Sequence, residues 1–347
     1  MLPRVKVAAA LFPLVVTLLS DVLKGPKPGQ PIKSNRYAVD LDALETARTV
    51  YRGVKPGVLR EAFVQSGPDN ELLEFVNASA SESSSTVGIL QTHVKEILYW
   101  WLQFFFGWSR TDAAGYLNRS SLYVASRSQL EAHVGTQARL KQARSLLDIG
   151  SGTGTETVKL QNVLGLAPKN VSCIENSIVL QTKLRSYGFR TVASPAELSA
   201  SKRFSHVSLL NVLDRCDFPG KILFSAVESL EMDGVLVLGI VLPFKAKVYI
   251  GKRFIELGKP AWRAPSDPLH LAPIPTWAKT IGTPFEIDLV RIIEYIKSRH
   301  SNLRLRSWTK LPYVSSGDAR RTHYTIDMAL IVFSLDEESR ISSKTAP

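Results

Sequence analysis

The segment Asp148-Ile149-Gly150-Ser151-Gly152-Thr153-Gly154 is the part of this sequence best suited to chemistry. An apolar strand pattern (145–149) runs into it and a helical pattern (155–163) leaves it. Glycine admits positive φ and lets the backbone approach a ligand, and the first N–H groups of a helix lack intrahelical acceptors. A loop of this kind holds an anion or a nucleotide. Spacing narrows the choice. The dinucleotide fingerprint GxGxxG needs its third glycine at 155, which is Thr155. No Gly-Lys-Ser/Thr follows to make a P-loop, and no G-x-S-x-G marks a nucleophile elbow. Glu175 stands 21 residues beyond Gly154 at the tip of the next apolar run, where a carboxylate can accept hydrogen bonds from ribose hydroxyls. Glu197 precedes the fourth strand, where an adenine contact is a weaker alternative to simple exposure. That strand ends in Asn211-Val212-Leu213-Asp214-Arg215-Cys216-Asp217. Ligands of open parallel sheets bind at the carboxyl ends of the strands, so Asn211 and Asp214 are expected beside the reacting group. An ionised Asp214 can orient an N–H and take up its proton. Asp217 is read as a cap for the helix that follows Pro219.

The elements that must position these residues are legible as a rhythm. Strand patterns at 145–149, 170–174, 191–193, 206–212 and 235–242 alternate with helical patterns at 155–163, 177–187 and 219–230. This predicts a parallel sheet covered on both faces. A helix near 286–298 and strands at 303–312 and 324–334, with no long helix between the last two, add an antiparallel end. Seven strands are expected in all. Closely spaced Pro and Gly make 24–36 a linker, and serines make 78–87 a second loop. Val94, Ile97, Trp101 and Phe105 recur at helical spacing in an aromatic-rich stretch, expected to pack on the main domain, with a membrane interface as the alternative. The organisation read from this is a signal peptide or membrane anchor (1–23), a linker and unassigned N-terminal region (24–87), a helical extension (88–140), the α/β domain (141–336) and a tail (337–347).

Hydrophobic residues at 45% and charged residues at 21% belong to a folded chain. Two cysteines outside any CxxC pair, and six histidines without HxxxH or HExxH spacing, argue against a disulfide framework and a metal site. The net charge of +12 is spread along the chain, which favours a solvated basic surface over a nucleic-acid groove. Arg4 and Lys6 precede an apolar run at 7–19, shorter than the ~20 residues of a spanning helix. That pattern points to the endoplasmic reticulum or secretory pathway and to membrane association through the N-terminus; a buried N-terminal helix is the alternative. In that pathway Asn77-Ala78-Ser79, Asn118-Arg119-Ser120 and Asn170-Val171-Ser172 are glycosylation triplets.

A GxGxG loop preceded by an acid resembles that of class I methyltransferases, where it curls under the methionyl part of the cofactor. More specific blocks resemble the DREV family of methyltransferases. They are Asn211-Val212-Leu213-Asp214-Arg215-Cys216-Asp217, Val241-Leu242-Pro243-Phe244, and Leu311-Pro312-Tyr313 followed by Gly317-Asp318. Upstream, Ser109-Arg110-Thr111, Gly115-Tyr116-Leu117, and Ser126 with Gln129 are similar too. The resemblance implies a class I (Rossmann-like) fold, S-adenosyl-L-methionine as cofactor, and methylation of the pros nitrogen of histidine in His-x-His protein segments. It implies that Asp148, Gly150, Ser151, Gly152, Gly154 and Glu175 hold the cofactor together with Asn211. Asn211 and Asp214 would belong to the histidine pocket, with Tyr313 and Tyr324 as wall and hydrogen-bond partners. The chain departs from the family at Lys245-Ala246-Lys247, at His206, at Ser316 and through 251–285. A small-molecule or RNA substrate, or an inactive cofactor-binding scaffold, are the alternative readings.

Overall fold

The computed structural model describes residues 26–51, 54–84, 86–117, 122–135, 142–198, 203–251, 261–276, 283–317 and 321–335. The expected signal or anchor segment at 1–23 and the tail at 337–347 lie outside them. In chain order the strands are β1 (Leu122–Tyr123), β2 (Leu146–Ile149), β3 (Val171–Ile174), β4 (Arg190–Val192), β5 (Phe204–Leu210), β6 (Leu230–Val241), β7 (Val248–Gly251), β8 (Ala261–Arg263), β9 (Leu303–Ser316) and β10 (His323–Leu335). The helices are α1 (Leu41–Arg48), α2 (Val58–Glu61), α3 (Asn70–Ser84), α4 (Thr86–Phe106), α5 (Arg110–Tyr116), α6 (Arg127–Val134), α7 (Thr155–Val163), α8 (Ile178–Ser186), α9 (Pro219–Glu228) and α10 (Pro284–Arg299).

The main sheet runs β1-β9-β10-β6-β5-β2-β3-β4. β4, β3, β2, β5 and β6 pair in parallel, because helices carry the chain back across the faces between them. β10 then runs antiparallel to β6, and β9 to β10, as the two late strand patterns required. The sheet has eight strands rather than the expected seven. The addition is β1, two residues that pair antiparallel to the end of β9 (Tyr123↔Val314) and are too short to leave a periodic signature. β7 and β8 form a separate antiparallel pair.

Each face of the sheet is buried. On one side α1, α9 and α10 cover Leu147, Leu209, Leu238 and Ile331. On the other, α6, α7 and α8 cover Leu146, Cys173, Val237 and Met328. Fully burying one such side chain is worth ~1.5–3 kcal/mol, so these two layers dominate the stability. Residues 41–51 and 54–64 belong to the first layer. Leu44, Tyr51 and Leu59 are core residues, Trp308 Nε1 donates to Leu59 O at 2.7 Å, and Phe63 packs on the Trp308 ring.

Three expectations about the N-terminal half are corrected. The linker at 24–36 is docked from its first described residues: Lys27 bridges Arg321, Gly29 N–H donates to Thr322 Oγ1, and Arg36 pairs with Asp327. The serine-rich stretch at 78–87 is helical through Ser84, with Ser81 Oγ bonding back to Ala78 O instead of breaking the helix. The aromatic stretch is a helix, α4, but it turns its apolar face outward. Val94, Ile97, Trp101 and Phe105 are exposed, whereas Thr92, His93 and Tyr99 are buried. α3 and α5 lie along its polar side. No helix among the described residues is long and apolar enough to cross a membrane.

Candidate active site

The strand order reverses between β2 and β5. The chain passes outward through β3 and β4 and returns to pair β5 on the opposite edge of β2. At such a switch point the loops leaving the two strands diverge and open a crevice. It lies between the glycine loop after β2 and Asn211-Val212-Leu213-Asp214 after β5. The two loops are in contact, since a Cβ on Gly150 would come within 2.6 Å of Val212 Cγ2.

Gly150, Gly152 and Gly154 have φ of 75°, 53° and 81°, the left-handed region in which side chains are strained. Their surroundings differ. Gly150 backs onto Val212, and a Cβ on Gly154 would collide with Leu184 and Tyr187. A Cβ on Gly152 would meet nothing within 4 Å, so it faces open space at the start of α7. Ser151 is turned into the loop, its Oγ donating to Asp148 O at 2.9 Å.

Asp148 lies beneath this loop. It is buried, and its carboxylate accepts from Thr157 Oγ1 at 2.5 Å and Ser208 Oγ at 2.6 Å. Burial pushes its pKa up, against the pull of these hydroxyls. Its geometry is that of a brace joining β2, β5 and α7. Glu175 stands at the rim. Its Oε2 accepts from Gly152 N–H at 2.9 Å and its Oε1 from Ser177 N–H at 3.0 Å. A carboxylate has about four acceptor positions, so roughly two remain for a ligand. Burial raises this pKa too, opposed by the same N–H groups. Ser177 Oγ donates in turn to Asp112 Oδ1 at 2.5 Å. Asp112 closes the capping box of α5 by accepting from Ser109 N–H at 2.8 Å. The sequence reading missed Asp112, although Ser109-x-x-Asp112 is a capping signal and Ser109 was among the residues noticed.

After β5, Asn211 takes a positive φ of 63° and its amide N–H donates to Gly239 O. Asn211 Nδ2 donates to Tyr313 OH at 2.7 Å, and Arg215 Nε donates to Asn211 Oδ1 at 3.2 Å. Asp214 is 6% exposed; its Oδ2 lies 3.6 Å from Arg215 Nε, and its Oδ1 has no hydrogen-bond partner among the described residues. Burial raises the Asp214 pKa, and Arg215 opposes the shift. Tyr313 is held neutral by burial. Lys247 N–H donates to Asp214 O, which brings the divergent Lys245-Ala246-Lys247 stretch against the site. Tyr324 shares a face of the β9–β10 ladder with Tyr313, lying opposite Ser315 while Tyr313 lies opposite Ile326. At 40% exposure it sits on the open part of that face. Asp217 does not cap α9, whose N-cap is Phe218. It pairs with Arg263 and accepts from Ser266 N–H, fastening the loop after β8 and lowering its own pKa. Glu197 is spent on its own turn, accepting from Ala193 N–H at 3.1 Å. Among the described residues no group of His, Cys, Asp or Glu is arranged to hold a metal.

The family model of the DREV methyltransferases matches residues 52–335 of the chain. The chain belongs to the DREV methyltransferase family. This DREV protein is therefore an S-adenosyl-L-methionine-dependent methyltransferase, and its site fits that cofactor. Open space lies over Gly152, a helix begins beneath it, and Glu175 retains acceptor capacity at the adjoining strand tip. Among solved structures it is similar to DesVI of Streptomyces venezuelae (24% identity, 33% of this chain and 50% of that one, TM-score 0.28). That match spans half of the Streptomyces protein. It is also similar to the N-methyltransferase NodS of Bradyrhizobium japonicum in complex with S-adenosyl-L-homocysteine (14%, 61% and 86%, 0.33). A third is a putative RNA methyltransferase of Pyrococcus horikoshii (14%, 61% and 84%, 0.37). None of the three bears on what the DREV protein methylates.

Proposed function

We propose that this enzyme methylates the pros nitrogen of histidine side chains in His-x-His segments of proteins. The observation that carries the reading is the buried Asp214 carboxylate with Oδ1 unmatched, in the same loop as the Asn211 that bonds Tyr313 and the Val212 that meets Gly150. A neutral imidazole is nucleophilic through one nitrogen and carries N–H on the other. Asp214 Oδ1 accepts that N–H, which selects the tautomer and leaves the second lone pair free. Asn211 and Tyr313 form the wall that fixes the ring plane, and Tyr324 borders the mouth. S-adenosyl-L-methionine would supply an electrophilic methyl group; the glycine loop, open at Gly152, and Glu175 would hold it. As the ring nitrogen's lone pair bonds the methyl carbon, the methyl–sulfur bond would break with its electrons left on S-adenosyl-L-homocysteine; the imidazole becomes cationic, and the Asp214 carboxylate accepts the proton on the distal nitrogen. Positioning of the ring accounts for most of the rate enhancement.

Incubation of the purified protein with methyl-labelled cofactor and His-x-His peptides tests this. Label is expected on the pros nitrogen by mass spectrometry; intact cofactor binding with no labelled histidine rejects the substrate. Labelling of RNA or a small molecule instead supports the alternative class. The basic, apolar start of the sequence supports a place in the secretory pathway, held at a membrane through the N-terminus. A tagged full-length chain is expected in the endoplasmic reticulum, and loss of residues 1–23 should disperse it. An unchanged distribution rejects the assignment.

A further inference from the structure

α4 is amphipathic the wrong way round for a helix of a water-soluble surface. Val87, Leu90, Val94, Ile97, Trp101 and Phe105 recur every three or four residues and are 42% to 65% exposed. Thr92, His93 and Tyr99 on the other side are buried. At 1.5 Å per residue the 21 residues of α4 carry this stripe for ~30 Å. From Phe106, the last residue of the helix, it continues through Trp108 and Tyr116, and the three rings follow one another at 5.1 Å. It ends at a hollow of about 430 Å³ that includes Ile178 and Lys183. A continuous apolar face of this length needs an apolar partner.

We propose that this face is a bilayer-binding surface, by which α4 lies in the headgroup region of an anionic membrane. Three observations choose lipid. The stripe becomes aromatic toward its end, with Trp and Phe where amphipathic rings suit the membrane–water boundary. The net charge of +12 complements an anionic surface. The chain's other apolar stretch, residues 7–19, is separated by six residues from Pro26. The chain that follows runs to Ile32, which packs, like Phe75 and Val76 of α3, against the cluster of Leu72, Tyr123 and Val314; α3 is the helix alongside α4. The described chain thus begins on the side of the molecule where α3 and α4 lie. α5 ties this side to the cofactor loop, since a Cβ on Gly115 would lie 3.7 Å from Thr153 Cγ2. Membrane binding by α4 therefore places the cofactor end of the site near the lipid. The proposal does not depend on which substrate is methylated.

The test uses the full chain with Cys216→Ser and a single environment-sensitive fluorophore on Phe105→Cys, Cys173 being buried. Vesicles of phosphatidylcholine with roughly one-third phosphatidylserine should blue-shift and brighten the probe, and brominated acyl chains should quench it. The double variant Val94→Glu, Trp101→Glu should bind these vesicles at least about tenfold more weakly while its S-adenosyl-L-homocysteine affinity stays unchanged. Vesicle binding with an unaltered probe means that residues 1–25 alone hold the lipid, and overturns the proposal. A probe already shielded before vesicles are added also overturns it. Shielding independent of concentration means cover by the chain's own N-terminus, and shielding that grows with concentration means a second copy. Equal vesicle affinity in the double variant overturns it as well.

Discussion

Replacing Gly152 by alanine separates a ligand cradle from a structural turn. The φ of 53° at Gly152 strains an alanine by about 1–2 kcal/mol, offset by ~0.4–1 kcal/mol because the unfolded chain loses freedom. No atom lies within 4 Å of the new methyl, so packing adds nothing, and the net loss of stability should be at most about 1.6 kcal/mol. Gly150→Ala is the contrast. It carries similar backbone strain, and its methyl would sit 2.6 Å from Val212 Cγ2, which a short branched side chain cannot fully evade. Overpacking of this kind costs ~1–3 kcal/mol more, so Gly150→Ala should lose about 1–4.6 kcal/mol. Ligand affinity should behave differently. The Gly152 methyl projects into the space assigned to the cofactor and should weaken S-adenosyl-L-homocysteine by ~10–100-fold, about 1.4–2.7 kcal/mol. Urea unfolding without ligand gives the stabilities, and isothermal titration gives the affinities. If Gly152→Ala is as unstable as Gly150→Ala yet binds like the wild type, the space over Gly152 is not the cofactor's and the site is wrongly built.

Asp214→Asn should lower methyl transfer at least ~100-fold and leave S-adenosyl-L-homocysteine affinity within about twofold, because an amide oxygen can accept the imidazole N–H but can neither take up its proton nor balance the imidazolium charge; single-turnover rates with titration data decide it. Asn211→Ala strains the left-handed backbone and strips Tyr313 OH of its donor, for ~2–4 kcal/mol in denaturant titrations, whereas Asn211→Gly should recover the backbone part of that loss without restoring activity. Glu156 is a pH probe: burial lifts its pKa from 4.5 to about 7, against Lys159. A raised carboxyl pKa stabilises the fold below about 4.5 and loses that contribution as pH rises toward about 7. Glu156→Gln should therefore gain on the wild type across that window, by at most about 3 kcal/mol, in urea midpoints measured at both ends. A constant difference from acid to neutral would show that Glu156 does not titrate there.

The βα half of the molecule could be read because its signals are local. Apolar runs buried on both faces, glycines at a loop needing positive φ, and a serine at the N-cap of α8 all act within a few residues of themselves. Asn211 and Asp214 could be placed because they close a strand at the switch point. What sequence did not disclose is who meets whom across the fold. Nothing near Asp148 announces that its oxygens accept from Thr157 and Ser208, so that it also braces β2, β5 and α7. Asp217 looked like a cap because Pro219 follows it, but its partner, Arg263, is 46 residues away. β1 is two residues long and exists only because β9 offers an edge. The apolar stripe of α4 was visible, but its direction was not, since periodicity shows that a helix has two faces and not which one its neighbours cover.

The ordering of residues 41–51 bears on where this polypeptide can be shortened. Similarity to the family begins at residue 52, yet Leu44, Ala47 and Tyr51 fill the layer beneath α10, and Tyr51 OH reaches Pro273 O. A fragment trimmed to the recognisable stretch would leave that flank bare and shed the anchor of the Pro-rich loop. The boundary of resemblance and the boundary of cooperative folding fall at different places, and the second is the one a truncation must respect.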